Sequence, residues 1–161
     1  MVNNDAIVSI VNKISKISNA PCKKTLQKMV FLIEAKNVDL GCDYGIHFYG
    51  PYSSDLDFSV RELCDEGILN IEYTPLEHII SVNDGAKWSE YKNPIVDEVI
   101  NEFARESASE LELLATALYV YLNDRDVSKV KTGVIKIKGK KYDEGNIDDA
   151  IIRLKRAGFI A

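Results

Sequence analysis

The chain has 161 residues and a mass of 18.1 kDa, is 46% hydrophobic and 28% charged, and has a mean hydropathy of −0.12. That composition suits one globular domain or two small ones; it is too apolar for a disordered chain and holds no run near the roughly 18 apolar residues that span a bilayer. A net charge of −5 and an isoelectric point near 5.1 oppose long-range attraction to nucleic acid and anionic membrane.

Ile7, Ile10, Val11, Ile14 and Ile17 recur at three- and four-residue intervals, which predicts an amphipathic helix over Asp5–Ile17, with Asp5 as its cap and Asn19-Ala20-Pro21 as its stop. A second helix is predicted from Lys24 to Lys36. Its Leu26, Met29, Val30, Phe31, Leu32 and Ile33 make it apolar on most sides, so it belongs at the centre of a core. Ile46 to Tyr49 reads as a short strand, and Gly50-Pro51-Tyr52 as a turn. Ser54 with Asp57 has the spacing of a capping box, opening a helix that carries Leu56, Val60 and Leu63 and stops at Gly67. Ile68–Tyr73 and Ile79–Val82 form a predicted hairpin around a five-residue loop, Thr74 to His78. Pro94 starts a further helix, and Ser109 caps the next, with Leu111, Leu114, Leu118 and Leu122 on one face. Between Val127 and Lys141 helical spacing competes with the alternation Ile135, Lys136, Ile137, Lys138. The helix is the reading adopted, with Val130, Val134 and Ile137 inward. A last helix, Ile147 to Ala157, ends at Gly158.

Two of these helix ends echo one another at an offset of 91 residues: Leu56, Asp57, Val60, Leu63, Gly67, Ile68 and Leu69 against Ile147, Asp148, Ile151, Leu154, Gly158, Phe159 and Ile160. With the apolar helix before each, the expected architecture is mainly α with some β. A winged-helix-like unit with a β-hairpin wing (1–92) is followed by a second helical, degenerate winged-helix-like unit (93–161), the two packed as one compact body.

Charge is distributed unevenly along the chain. Residues 127–161 hold nine basic and four acidic residues, or +5, which leaves −10 for the other 126. The third helix, where a winged helix reads DNA, carries Asp55, Asp57, Glu62, Asp65 and Glu66 against Arg61 alone, and phosphates would repel it. Protein-contact candidates are therefore Tyr49, Tyr52, Asp55, Asp57 and Glu62. Nucleic-acid candidates are Lys129, Lys136, Lys140, Arg153, Lys155 and Arg156, with Lys129, Lys136 and Lys140 on one helical stripe; the same cations also suit an acidic protein surface or the chain's own acidic half.

No phosphate loop, dinucleotide fingerprint or nucleophile-base spacing is present, so no catalytic residue is assigned. Cys22, Cys42 and Cys64 form no CxxC pair, and with only His47 and His78 beside them they supply no zinc framework. They read as reduced thiols, Asp55 and Asp57 as helix-start acids, and no metal or cofactor is expected. The Met1–Asp5 start has no signal-peptide pattern, so the expected location is cytoplasmic. Tyr44, His47 and Tyr49 would line a deep pocket if the chain were an enzyme or a small-molecule sensor.

The run Lys24-Thr25-Leu26-Gln27-Lys28-Met29-Val30-Phe31-Leu32-Ile33, then Phe48-Tyr49-Gly50-Pro51-Tyr52-Ser53, Leu56, Leu63 and Gly67-Ile68-Leu69, resembles the YwgA-type family of bacterial and archaeal proteins. That family is similar to the Panacea (SocA-like) antitoxin domain, although Tyr52 stands where the Panacea pattern has valine or a similar small residue. The resemblance implies a winged-helix-like fold in prophage or mobile-element settings, neutralising a toxin or adapting a partner for proteolysis. The expected function is non-enzymatic, as a regulatory or adaptor protein that binds a protein; the alternative is a DNA-binding transcriptional regulator using the lysine-rich unit as a homodimer.

Overall fold

The computed structural model describes residues 1–161, and in it the periodic segments form seven helices and two short antiparallel hairpins. In chain order these are α1 (Asn4–Ile17), α2 (Lys23–Ala35), β1 (Gly45–His47), β2 (Gly50–Tyr52), α3 (Ser54–Asp65), β3 (Leu69–Tyr73) and β4 (His78–Val82). Then come α4 (Pro94–Phe103), α5 (Ala108–Asp124), a 3₁₀ turn at Val127–Lys129, α6 (Val130–Lys138) and α7 (Glu144–Arg156). The fold is mainly helical α+β. Helix, helix, helix and hairpin follow in winged-helix order through β4, with β1–β2 inserted between α2 and α3. A lone bridge from Cys22 to Ile79 ties the α1–α2 connection to β4.

One hydrophobic core of 39 residues runs through the molecule, drawing on every helix and on β3 and β4. The two helices with the most buried residues, α5 and α2, pack against each other at its centre, and α4, β2, α6 and α7 gather around them. The connection before α4 is strapped to α1, where the Ser9 hydroxyl accepts from Tyr91 N at 2.8 Å. No helix is long and apolar enough to cross a membrane.

The 91-residue echo extends to hydrogen bonds. Ile68 N donates to Leu63 O and Phe159 N to Leu154 O, both at 2.9 Å, around glycines at φ +77° and +80°. Each is a Schellman ending, in which a left-handed residue lets the chain reverse onto the last turn. The copies then diverge. Leu69 begins a paired strand, whereas Phe159 and Ile160 are buried without one.

Several local expectations are corrected. Gly50-Pro51-Tyr52 is not a turn but strand β2, registered with β1 as Gly45–Tyr52, Ile46–Pro51 and His47–Gly50, so the turn is Phe48-Tyr49. Proline is tolerated because a two-stranded ribbon leaves an outer edge that needs no donor. Ser53, not Ser54, caps α3, its hydroxyl accepting from Leu56 N at 3.2 Å, which leaves Asp57 outside any capping box. Asn3 rather than Asp5 caps α1, and Ser107 rather than Ser109 caps α5. The β3–β4 loop has four residues, Thr74–Glu77, because the Thr74 hydroxyl bonds both the N–H and the carbonyl of Glu77 and lets His78 pair with Tyr73.

Within 127–141 the helix wins, but shorter and rotated. Val130 and Val134 point inward, Ile137 is 40% exposed, and the Lys138 side chain takes the third inward position. The cause is Gly133, whose missing side chain lets Val120 of α5 fill its place; a Cβ there would lie 2.4 Å from Val120 Cγ1. The helix ends at Lys138, so Lys140 is off the predicted stripe.

Candidate functional site

The central helix α2 carries two buried polar side chains, Gln27 and Lys28. Gln27 grips the backbone of Ser53 from both sides: its amide nitrogen donates to Ser53 O at 2.9 Å, and its amide oxygen accepts from Ser53 N at 2.8 Å. Lys28 Nζ donates to Pro51 O at 2.9 Å. The Gln-Lys pair of α2 and the Gly-Pro strand are therefore two halves of one lock. Isolated, each buried polar group would cost about 1–3 kcal/mol; joined, they fix the hairpin to the core. Gly50 completes the fit. At φ +94° and against Thr116 of α5, a Cβ would lie 2.9 Å from the threonine hydroxyl.

The C-terminal helices hold the other side of the hairpin. Lys138 Nζ donates to Phe48 O at 2.7 Å and lies 3.5 Å from the buried carboxylate of Glu112, which also accepts from Lys141 at 2.6 Å and from the Tyr142 hydroxyl. Burial pushes the Glu112 carboxyl up, but hydrogen bonds from Lys141 and Tyr142 and the charge of Lys138 outweigh it and hold the pKa below the ordinary value. Burial likewise lowers Lys138 despite Glu112 nearby. It brings Lys28 down to about 8, with Glu112 resisting and Lys138 and Lys24 adding to the drop.

This frame presents a bare tip. Phe48 is 83% exposed and Tyr49 45%, and they meet edge to face at 5.0 Å. Beside the tip lies a cavity of about 310 Å³ between the first turns of α2, the hairpin and one flank of α3. Lys23, Lys24, Lys28 and Arg61 line it with Asp57 as the sole acid, and His47, Tyr49 and Tyr52 supply rings. Lys24 Nζ sits 3.6 Å from the centre of the Tyr49 ring, and His47 stacks on Tyr52 at 4.6 Å. Tyr44, expected in such a pocket, instead packs edge-on against Phe31 of the core at 5.1 Å.

The protein-contact candidates fall on two surfaces, because helical rotation separates them. Asp57 lies beside Tyr49 and Tyr52 at the cavity, paired with Arg61 at 2.7 Å and Lys23 at 3.4 Å. Asp55 and Glu62 flank the 63%-exposed Phe58 on the other side of α3, in a shallow groove with Met1 and Asp43. Asp55 there accepts from Asp43 N at 3.3 Å.

The nucleic-acid candidates do not form one patch. Lys129 lies 3.7 Å from Asp124 and 3.8 Å from Asp126. Arg153 pairs with Glu106 at 2.9 Å and Glu102 at 3.5 Å and stacks on Phe103. Arg156 edges a groove that also holds Glu98 and Glu102. Lys136, Lys140 and Lys155 are exposed and form no ion pair.

Sequence reasoning passed over Gln27, Lys28, Glu112 and Lys138 as site residues. The available signal was two adjacent polar residues in a helix with apolar residues on most sides, where burial demands partners.

Fold and site together define a mainly helical α+β protein whose winged-helix order is interrupted by a clamped aromatic hairpin. No family model matches the chain. It is similar to the uncharacterized protein YwgA of Bacillus subtilis, with 28% identity over 137 residues that cover 80% of this chain and 82% of that one. The similarity supports kinship with the YwgA type.

Proposed function

We propose that the chain acts by binding another protein, without catalysis, through the tip of the β1–β2 hairpin. The observation that carries this reading is Phe48, 83% exposed on a backbone held by Lys138, with Lys28 and Gln27 fixing the strand that follows. An apolar ring kept in water by a rigid support loses little entropy on docking, and burying it contributes about 1.5–3 kcal/mol. The resemblance to Panacea domains belongs to the same proposal: an antitoxin-like or adaptor role, in a prophage or mobile-element setting, toward a toxin or a protease substrate.

The test is affinity capture from extracts of the source organism. Phe48→Asp is expected to release proteins that the native chain retains, while charge reversal at Asp55 and Glu62, on the far side of α3, leaves them bound. Identical capture by the native chain and Phe48→Asp overturns the reading.

The alternative, DNA binding by the C-terminal cations, draws on exposed Lys136, Lys140 and Lys155, and is opposed by the carboxylates around Lys129, Arg153 and Arg156. A mobility shift that weakens steeply with salt would favour it; none at low salt rejects it.

A further inference from the structure

We infer that the cavity beside the hairpin binds a small ligand carrying a phosphate next to a planar ring, of which a nucleoside monophosphate is the simplest form. The cavity is electrically anomalous. In a chain of net charge −5, four cations converge on it against one carboxylate. Asp57 is already engaged by Lys23 and Arg61. Lys24 has no acidic partner and rests on the Tyr49 ring, and Lys28, only 2% exposed, donates to a neutral carbonyl and forms no ion pair.

Folding does not require this arrangement. Gln27 and the Lys28–Pro51 bond secure the hairpin, Lys24 adds only a ring contact at its exposed tip, and the surplus positive charge contributes nothing to that lock. Like charges gathered at a partly enclosed site repel and weaken the fold. Lys23 and Lys24 also stand in the first turn of α2, where the helix dipole disfavours cations; no acid accompanies them there. A dianionic phosphate reverses each of these unfavourable terms through charge-assisted bonds with the ammonium groups.

The rings select what accompanies the phosphate. His47 and Tyr52 are stacked with an interplanar angle of 28°, and with Tyr49 they line the same space as the cations. Flat π-faces beside a cationic site suit a nucleobase or comparable ring, which stacks on aromatic side chains. The volume of about 310 Å³ matches the lower end of small-molecule sites, roughly 300 Å³, and suits one mononucleotide rather than a longer strand.

The experiment is calorimetric titration of the full chain, in a phosphate-free buffer at low salt, with AMP, UMP, adenosine and inorganic phosphate as separate probes. One-site binding of a mononucleotide is expected, with adenosine and phosphate each at least about tenfold weaker, equivalent to about 1.4 kcal/mol. Lys24→Glu, at an exposed position, is expected to weaken mononucleotide binding by more than about tenfold without lowering the melting temperature by more than a few degrees. Phe48→Ser, which removes the apolar ring without adding a charge at the cavity rim that Phe48 shares, should release the captured proteins yet retain mononucleotide binding, which separates this site from the protein contact proposed above. No heat from either mononucleotide at millimolar concentration, undiminished binding by Lys24→Glu, or inorganic phosphate binding as tightly as AMP and UMP each overturns the assignment.

Discussion

Replacing Lys28 with methionine tests whether the buried ammonium titrates as the fold requires. Lys28 is 2% exposed, and burial brings its pKa from 10.5 to about 8, against the resistance of Glu112 and with help from Lys138 and Lys24; Cys22 also faces it and weakly opposes the drop. A shift of this size corresponds to a penalty on the order of 3 kcal/mol for keeping the charge inside. Below about pH 8 both folded and unfolded chains hold the proton, and the full penalty is present. Between about pH 8 and 10.5 the folded chain has released it while the unfolded chain still binds it, so stability rises with pH. Lys28→Met has no such penalty, but it leaves Pro51 O without its donor, a loss of about 1–3 kcal/mol. The two proteins should therefore be similarly stable near neutrality. The native chain should then gain on Lys28→Met by roughly 3 kcal/mol as the pH approaches about 10.5. Urea unfolding followed by circular dichroism measures both, and deprotonation of groups remote from Lys28 cancels in the difference. A gap that stays constant across this range would refute the reasoning.

Glu112→Gln should destabilise the chain by about 3–5 kcal/mol in urea unfolding, because the largely buried Lys138 loses its counter-charge. Since the Glu112 pKa is depressed, its contribution is present above the ordinary carboxylate value and is lost as the pH falls through the lower folded value; an acid titration of stability should lose that part in Glu112→Gln. Gly133→Ala should lower stability by about 1–3 kcal/mol through collision with Val120, and adding Val120→Ala should recover part of the loss; simple additivity in thermal melts would contradict the packing argument. Gly50→Ala combines a left-handed backbone with a 2.9 Å approach to Thr116, so a loss of more than about 1 kcal/mol is expected, and a neutral effect would contradict that geometry. Cys42, pushed up to about 12 by burial and then by Glu34, should resist iodoacetamide at mildly alkaline pH in the folded chain and react once urea unfolds it, as peptide mass spectrometry would record.

Helix number and the hairpin were legible in residue order, since apolar spacing of three and four and the Gly67 and Gly158 stops are local properties. The resemblance to the YwgA type was legible too, and the 28% identity over 137 residues supports it. Cap positions slipped by one or two residues, and at Ser53 the cause is distant in sequence, since Gln27 holds its backbone. The site was half visible: Tyr49, Tyr52 and Asp57 were singled out, whereas Asp55 and Glu62 proved to face the other way.

Composition and periodicity dictate which stretches coil and which faces avoid water, because those preferences act between residues a few positions apart. They are silent on where a charge ends up. Lys28 and Lys138 are separated by 110 positions, yet both reach the Phe48–Pro51 hairpin, and Glu112 holds Lys138 and Lys141 in place there. Electrostatic energy depends on distance through space, so five of the nine cations in a tail of net charge +5 found carboxylate partners while a nominally acidic front half acquired a cationic cavity.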